Sequence, residues 1–212
     1  AVTSAEKGEG KTTTASNLAL ALASAGKDTV LVDTDLRNPR LHRVFERRKE
    51  PGLSQCLFDD TPPSAEAFET RIDHLSVMPV GETVPNPAEM LGSQRMQAFI
   101  GDLARRHDVV LFDTPPVLLF SDALALATHC DGALIVAGAG MSDARAVDHA
   151  AEQVEDVGSS LLGCILNRYE GGNTMYGYGY NYGYARGYEQ LDEYYKQDAR
   201  EDVGGLARWR NG

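Results

Sequence analysis

The sequence predicts an α/β fold in which a doubly wound, mainly parallel sheet is flanked by helices and followed by a flexible C-terminal tail. Three observations carry this reading. Short β-rich apolar runs alternate with helical stretches up to about Asn167. Those runs are continuously apolar rather than alternating, as expected of strands buried on both faces by helical crossovers. Beyond Asn167 the composition changes: all nine tyrosines fall at or after Tyr169, in a stretch that is Gly-rich and then charged. The expected division is a domain over 1–168 and a tail over 169–212.

Each element has its own signal. Residues 1–3 read as the end of a strand whose beginning is missing, so the chain looks like a fragment. Residues 11–25 are rich in Ala and Leu, and Gly26 suits a helix stop. Residues 29–32 are β-branched and apolar, a buried strand. Further strands are expected at 74–80, 108–112, 132–137 and 161–166. Ser93 is a good N-cap for a helix to about Arg106. Ser121 suits a short helix to about Thr128, and Ser142 or Asp143 one to about Val157. The irregular stretch 51–71, with Pro62-Pro63 and Asp59-Asp60, reads as a loop-rich connection.

Composition narrows the function. With 20 basic against 31 acidic side chains the net charge is −11 over 212 residues, which argues against a general nucleic-acid binder. No apolar run approaches the roughly 20 residues a membrane span needs. Residues 1–10 lack the charged and apolar regions of a secretory signal. Three scattered cysteines (Cys56, Cys130, Cys164) fit a reduced compartment, and the five histidines show no metal-ligand spacing.

Three motifs carry chemistry. Ala5-Glu6-Lys7-Gly8-Glu9-Gly10-Lys11-Thr12 follows the first strand and opens the first helix, where a phosphate-binding loop belongs. Gly8 and Gly10 allow backbone N–H groups to turn inward as an anion nest, and the helix N-terminus adds partial positive charge. Lys11 suits the β- and γ-phosphates and the Thr12 hydroxyl suits Mg²⁺. Ala5 replaces the first Gly of the usual pattern, which is tolerable where no positive φ is needed. Val30-Leu31-Val32-Asp33-Thr34-Asp35 ends a buried strand in two carboxylates on one side, given the period of two. Val109-Val110-Leu111-Phe112-Asp113-Thr114-Pro115-Pro116 leads apolar residues into an Asp, the Walker B pattern. In an open α/β sheet, ligands gather at such strand ends. The expected nucleotide contacts are Lys7, Gly8, Glu9, Gly10, Lys11, Thr12 and Thr13. Thr12, Asp35 and Asp113 make a sensible Mg²⁺ set, since that ion favours oxygen and keeps several waters.

Together these motifs resemble the bacterial tyrosine kinases of exopolysaccharide and capsule export, built on the P-loop NTPase fold with a deviant Walker A loop. Leu36-Arg37-Asn38-Pro39-Arg40-Leu41 is similar to that family's Leu-Arg-x-Pro-Arg run, and Asn86-Pro87-Ala88-Glu89-Met90-Leu91 to its Asn-Pro-x-Glu-Leu-Leu segment. The family also ends in a tyrosine cluster. The resemblance implies an ATP- and Mg²⁺-dependent autokinase, with Lys11, Asp33, Asp35 and Asp113 catalytic. It acts in trans on the C-terminal tyrosines between subunits of a homo-oligomeric ring. It also implies an inner-membrane polysaccharide co-polymerase as partner, a cognate tyrosine phosphatase, and a place at the cytosolic face of the inner membrane. Asp33 is the candidate base by resemblance. A carboxylate near 4 is a poor base for a phenol near 10, so Asp33 also suits an orienting role. Asn167-Arg168 matches a place where related ATPases read adenine. The family's upstream Glu-x2-Arg-x2-Arg oligomerisation segment is absent from this chain. Lys7 also resembles the extra lysine of partition and division-site ATPases, which makes a dimeric ATPase switch the alternative; a solvated loop residue is the plainer explanation.

The candidate acceptors are Tyr176, Tyr178, Tyr180, Tyr182, Tyr184 and Tyr188. Alternation with Gly suggests an extended segment, and each phosphorylation would add roughly −1.5 to −2 charges. The basic run of Arg37, Arg40, Arg43, Arg47, Arg48 and Lys49 reads either as a dock for that tail or a partner, or as a solvated face.

Overall fold

The computed structural model describes residues 1–59 and 63–169. Six parallel strands form one sheet in the order β3-β2-β4-β1-β5-β6. They are β1 (Val2–Ser4), β2 (Thr29–Asp33), β3 (Leu75–Met78), β4 (Val109–Asp113), β5 (Ala133–Gly138) and β6 (Leu161–Asn167). All six lie within a residue or two of their expected positions.

Residues of β2 show how both faces are covered. Val30 and Val32 pack on one side with Met96, Leu103, Phe112 and Leu126. Leu31 points to the other side, among Ala15, Ala19 and Ala23. Those alanines recur every fourth residue along α1 (Lys11–Ser24), so the helix presents its smallest residues to the sheet and seats closely. Gly26, at φ 76, turns the chain out of α1 in the left-handed conformation that glycine tolerates.

Helix α5 (Gln94–Arg106) begins as expected, with the Ser93 hydroxyl accepting from the Met96 N–H at 3.1 Å. Replacing Ser93 by Ala is expected to cost about 1 kcal/mol in denaturant unfolding. Helix α7 (Ala144–Asp156) is capped by Asp143, whose carboxylate accepts from the Arg145 N–H. Ser121 precedes α6 (Asp122–Ala127) but makes no side-chain cap; its own backbone is already helical, so the hydroxyl is not placed to accept.

Three expectations need correction. The stretch 51–71 is not simply a loop: it contains α3 (Leu53–Phe58) and a 3₁₀ turn (Ala65–Phe68), because Leu53, Leu57 and Phe68 are drawn into the core. Two further short helices, α2 (Leu41–Val44) and α4 (Pro87–Leu91), had no distinct sequence signal. Strand β6 is not buried on both faces. It is one of two edge strands, its residues alternate between half-buried and exposed, and Leu162 and Leu166 are 62% and 58% exposed.

Candidate active site

The carboxyl ends of β1, β2 and β4 meet at one cleft. Parallel pairing puts Val2 beside Asp113 and Asp33 beside Asp113, which brings the phosphate loop and both acidic strand ends together. A cavity of about 620 Å³ opens there, lined by Lys7, Gly8, Gly10, Lys11, Thr12 and Thr13 of the loop and the start of α1. Asp35, Arg37, Asn38, Arg40, Val44, Pro116, Phe120 and Arg168 complete it.

The loop owes its shape to two glycines at positive φ, Gly8 at 83° and Gly10 at 96°. Ala5 does not share that conformation and is fully buried, so its departure from the usual Gly is harmless. A Cβ on Gly10 would fall 1.9 Å from the Asn167 Nδ2. That amide donates to the Glu9 carbonyl at 3.0 Å. The side chain of Asn167 therefore braces the loop, while Arg168, at φ 56, lines the cleft. The Glu9 side chain also turns inward. Its carboxylate accepts from the Glu6 N–H at 2.7 Å and from the Ser142 hydroxyl, and Ser142 in turn receives the Gly138 N–H at 2.7 Å. Glu9 is 1% exposed and is not among the residues that line the cleft. Lys7 is exposed at the rim.

Lys11 is 8% exposed. Burial lowers its pKa, and the carboxylates of Asp113, Asp35 and Glu9 pull it back upward. Asp113 is 1% exposed, and neither of its oxygens has a partner at full hydrogen-bond geometry, although the Thr12 hydroxyl stands near enough to act on its charge. Burial first and the charge of Asp33 second push its pKa up to about 8, with Thr12 and Lys11 opposing. Two such oxygens on a buried carboxylate are a costly arrangement unless a cation or donor meets them. Among the described residues no group of three or more His, Cys, Asp or Glu forms a ready-made metal cage. Mg²⁺ is typically held by one or two carboxylates, waters and substrate phosphates.

Asp33 is different. It is fully buried, and its oxygens accept three backbone N–H groups: Asp35 at 3.2 Å, Arg40 at 3.0 Å and Leu41 at 3.0 Å. Burial pushes its pKa up to about 7, while the amides of Leu41 and Arg40 pull it down. The geometry is that of an orienter: the carboxylate holds the loop that carries Asp35 and starts α2. Asp35 itself accepts from the Asn38 N–H at 2.9 Å and lines the cleft.

The basic run does not act as one patch. Arg37 is held by Asp122 through a bidentate pair, Nε to Oδ2 at 2.7 Å and a second bond at 3.1 Å, and lies over the Phe120 ring at 4.3 Å. Arg47 donates to the carbonyls of Ala67 and Phe68 at 2.6 and 2.8 Å. Only Arg37 and Arg40 of the run line the cleft. Asp122, Ser142 and the bracing side of Glu9 escaped sequence reasoning, since their partners are remote along the chain. The six candidate acceptor tyrosines lie outside the described residues.

Comparison with known proteins agrees with this geometry. The AAA domain profile matches residues 1–160. The tyrosine-protein kinase CpsD of Streptococcus agalactiae is 38% identical over 178 residues, covering 84% of this chain and 78% of that protein. The kinase domain of the Escherichia coli tyrosine kinase ETK superposes with a TM-score of 0.73 at 31% identity, covering 84% of this chain and 71% of that one. The septum site-determining protein MinD of Pyrococcus horikoshii, solved with Mg-ADP, shares the fold at a TM-score of 0.67 and 24% identity, over 81% of this chain and 70% of that one. With a P-loop, two acidic strand ends and a relative of this identity along most of its length, the chain belongs to the bacterial protein-tyrosine kinases.

Proposed function

We propose that residues 1–168 are an ATP- and Mg²⁺-dependent protein-tyrosine kinase domain whose substrate is the tail over 169–212. The observation that carries this is the cleft: a glycine-shaped phosphate loop with a buried lysine faces a buried carboxylate whose oxygens have no partner at full hydrogen-bond geometry. Phosphoryl transfer asks chiefly for positioning and charge stabilisation. The N–H groups of the Gly8–Gly10 turn and the Lys11 ammonium bear phosphate charge. Thr12, Asp35 and Asp113 would hold Mg²⁺, which when bound neutralises charge developing on the transferred phosphoryl group. Lys7, Thr13 and Arg168 are rim contacts for the nucleotide. Asn167 contributes by holding the loop. Asp33 orients Asp35 and the α2 loop, and the phenol proton leaves late in a loose transition state.

In this reading Tyr176, Tyr178, Tyr180, Tyr182, Tyr184 and Tyr188 receive phosphate from a neighbouring copy. The cognate partners are a polysaccharide co-polymerase at the cytosolic face of the inner membrane and a tyrosine phosphatase. Their support is the family resemblance. Among the described residues no helix is long and apolar enough to cross a membrane. The dimeric ATPase alternative draws on Lys7 and the MinD-like fold, and leaves the clustered tyrosines without a role.

Transfer between copies is tested by mixing two full chains. One carries Lys11→Met with its tail intact. The other keeps Lys11 but has Phe at all nine tyrosines. Phosphate on the first chain is the expected result; phosphate appearing only when Lys11 and the tyrosines share one chain would exclude transfer in trans.

A further inference from the structure

The Glu9 carboxylate is out of place on electrostatic grounds. It is buried within a loop shaped to hold anions, and its charge acts on Lys11. A negative charge there opposes a bound phosphate, and burying it carries a desolvation cost. Its value is therefore geometric. One oxygen accepts from the Glu6 N–H at 2.7 Å, which closes the turn over residues 6–9. The other accepts from the Ser142 hydroxyl, 133 positions along the chain. Half-buried Ser142 stands in the turn that leaves β5, and that turn is closed on itself. The N–H groups of Met141 and Ser142 donate to the Gly138 carbonyl at 3.2 and 2.9 Å, and the Gly138 N–H returns to the Ser142 oxygen at 2.7 Å. The Ala139 N–H donates to the Asn167 carbonyl at 2.8 Å, which ties the same turn to β6. With β5 itself held between β1 and β6, the hydroxyl is fixed in place before it meets Glu9.

We infer that Ser142 is a positioning residue for nucleotide binding: through Glu9 it holds the phosphate loop in its anion-gripping shape from outside the cleft. Neither Glu9 nor Ser142 lines the cavity, so neither meets the nucleotide there by its side chain. The inference rests on nucleotide binding at this loop, as proposed above, and adds the support on which that binding depends. The loop grips only when its N–H groups converge, and Gly8 and Gly10, at positive φ, leave its backbone many other conformations. A strut from the central sheet removes those alternatives before the nucleotide arrives. The hydroxyl suits the task because it donates to the carboxylate and accepts from the Gly138 N–H at once. Without it, the Gly138 N–H loses its side-chain acceptor and one oxygen of a buried carboxylate loses its donor.

The test measures binding of a non-hydrolysable ATP analogue with Mg²⁺ to the full chain by calorimetry, alongside thermal melts without nucleotide. Ser142→Ala is expected to raise the Kd by about tenfold, the size expected when a hydrogen bond to a charged group no longer holds the binding-competent loop. Ser142→Thr keeps the hydroxyl and is expected to restore the Kd to within about twofold of wild type. Glu9→Gln is nearly isosteric and carries the same test independently. It keeps one acceptor oxygen and loses the other, so binding should weaken by about fivefold, whereas removal of the charge alone would tighten it. Because the two residues act as one strut, the double variant should bind about as weakly as the weaker single one. A folded Ser142→Ala chain with a lowered melt and an unmoved Kd would make the serine purely structural and overturn the inference. Tighter binding by Glu9→Gln, or single effects that multiply in the double variant, would overturn it too. A wild-type chain that binds no analogue would remove the nucleotide reading and this inference with it.

Discussion

Replacing Lys11 by Met is expected to lower the rate of phosphotyrosine formation on the order of 10²–10³-fold, the usual loss when one preorganised charge at a transition state is removed. The side chain is buried, with carboxylates of Asp113, Asp35 and Glu9 acting on its charge. Met has a similar unbranched shape, so the first turn of α1 keeps its packing. What disappears is the cation. The substitution also removes one of the two influences that hold Asp113 down, the other being the Thr12 hydroxyl. Initial rates of phosphotyrosine formation, with a thermal melt as the folding control, check the prediction. A melt close to wild type together with wild-type rates would remove Lys11 from the mechanism.

Asp113→Asn is expected to have two opposite effects. Transfer should fall by a comparable factor, because the proposed metal ligand would lose its charge. Metal- and nucleotide-free protein should instead become more stable at alkaline pH. The sign follows from proton counting. Burial raises the Asp113 pKa in the folded chain to about 8, against roughly 4 when unfolded. Between those values the folded state holds more protons than the unfolded one, so stability falls as pH rises from about 4 to about 8 and then levels. Asp33, raised to about 7, adds a similar slope over the lower part of that window. Asn carries no charge to bury, so the variant should lose much of the slope and gain on the order of a few kcal/mol near pH 8. Melting temperatures of both proteins from pH 4.5 to 8.5, in chelator, provide the measurement. Parallel pH profiles would contradict the buried-charge account.

Much of the site is legible in one dimension because local sequence dictates it. A strand, a Gly-x-Gly turn and a Lys-Thr helix start are contiguous, and the left-handed φ of Gly8 and Gly10 is what makes that spacing informative. The strand-end carboxylates are legible for the same reason, since a run such as Val30-Leu31-Val32 is buried on both faces and must end at a loop. Side-chain roles set by distant partners are not. Arg37 and Asp122 are 85 positions apart, so the basic run reads as one patch until the fold divides it. Asn167 and Glu9 read as nucleotide contacts because they flank the site; what the sequence does not display is their part in shaping the loop, where one Asn167 N–H donates to the Glu9 carbonyl and the Glu9 carboxylate accepts from the Glu6 N–H. The four- and five-residue helices α2 and α4 span too few turns to display a period. The exposed face of β6, where Leu162 and Leu166 point outward, is not revealed by apolar content alone.

The central claim is that the tyrosines gathered at the end of the chain are the substrate of the Mg²⁺–phosphate site that precedes them. The most direct measurement is phosphopeptide mapping of the full chain after incubation with ATP and Mg²⁺. Phosphate on peptides spanning Tyr176 to Tyr188, and its absence from the Lys11→Met chain, is the predicted result. ATP turnover that leaves those peptides unmodified, in protein shown to be folded and assembled, would contradict it.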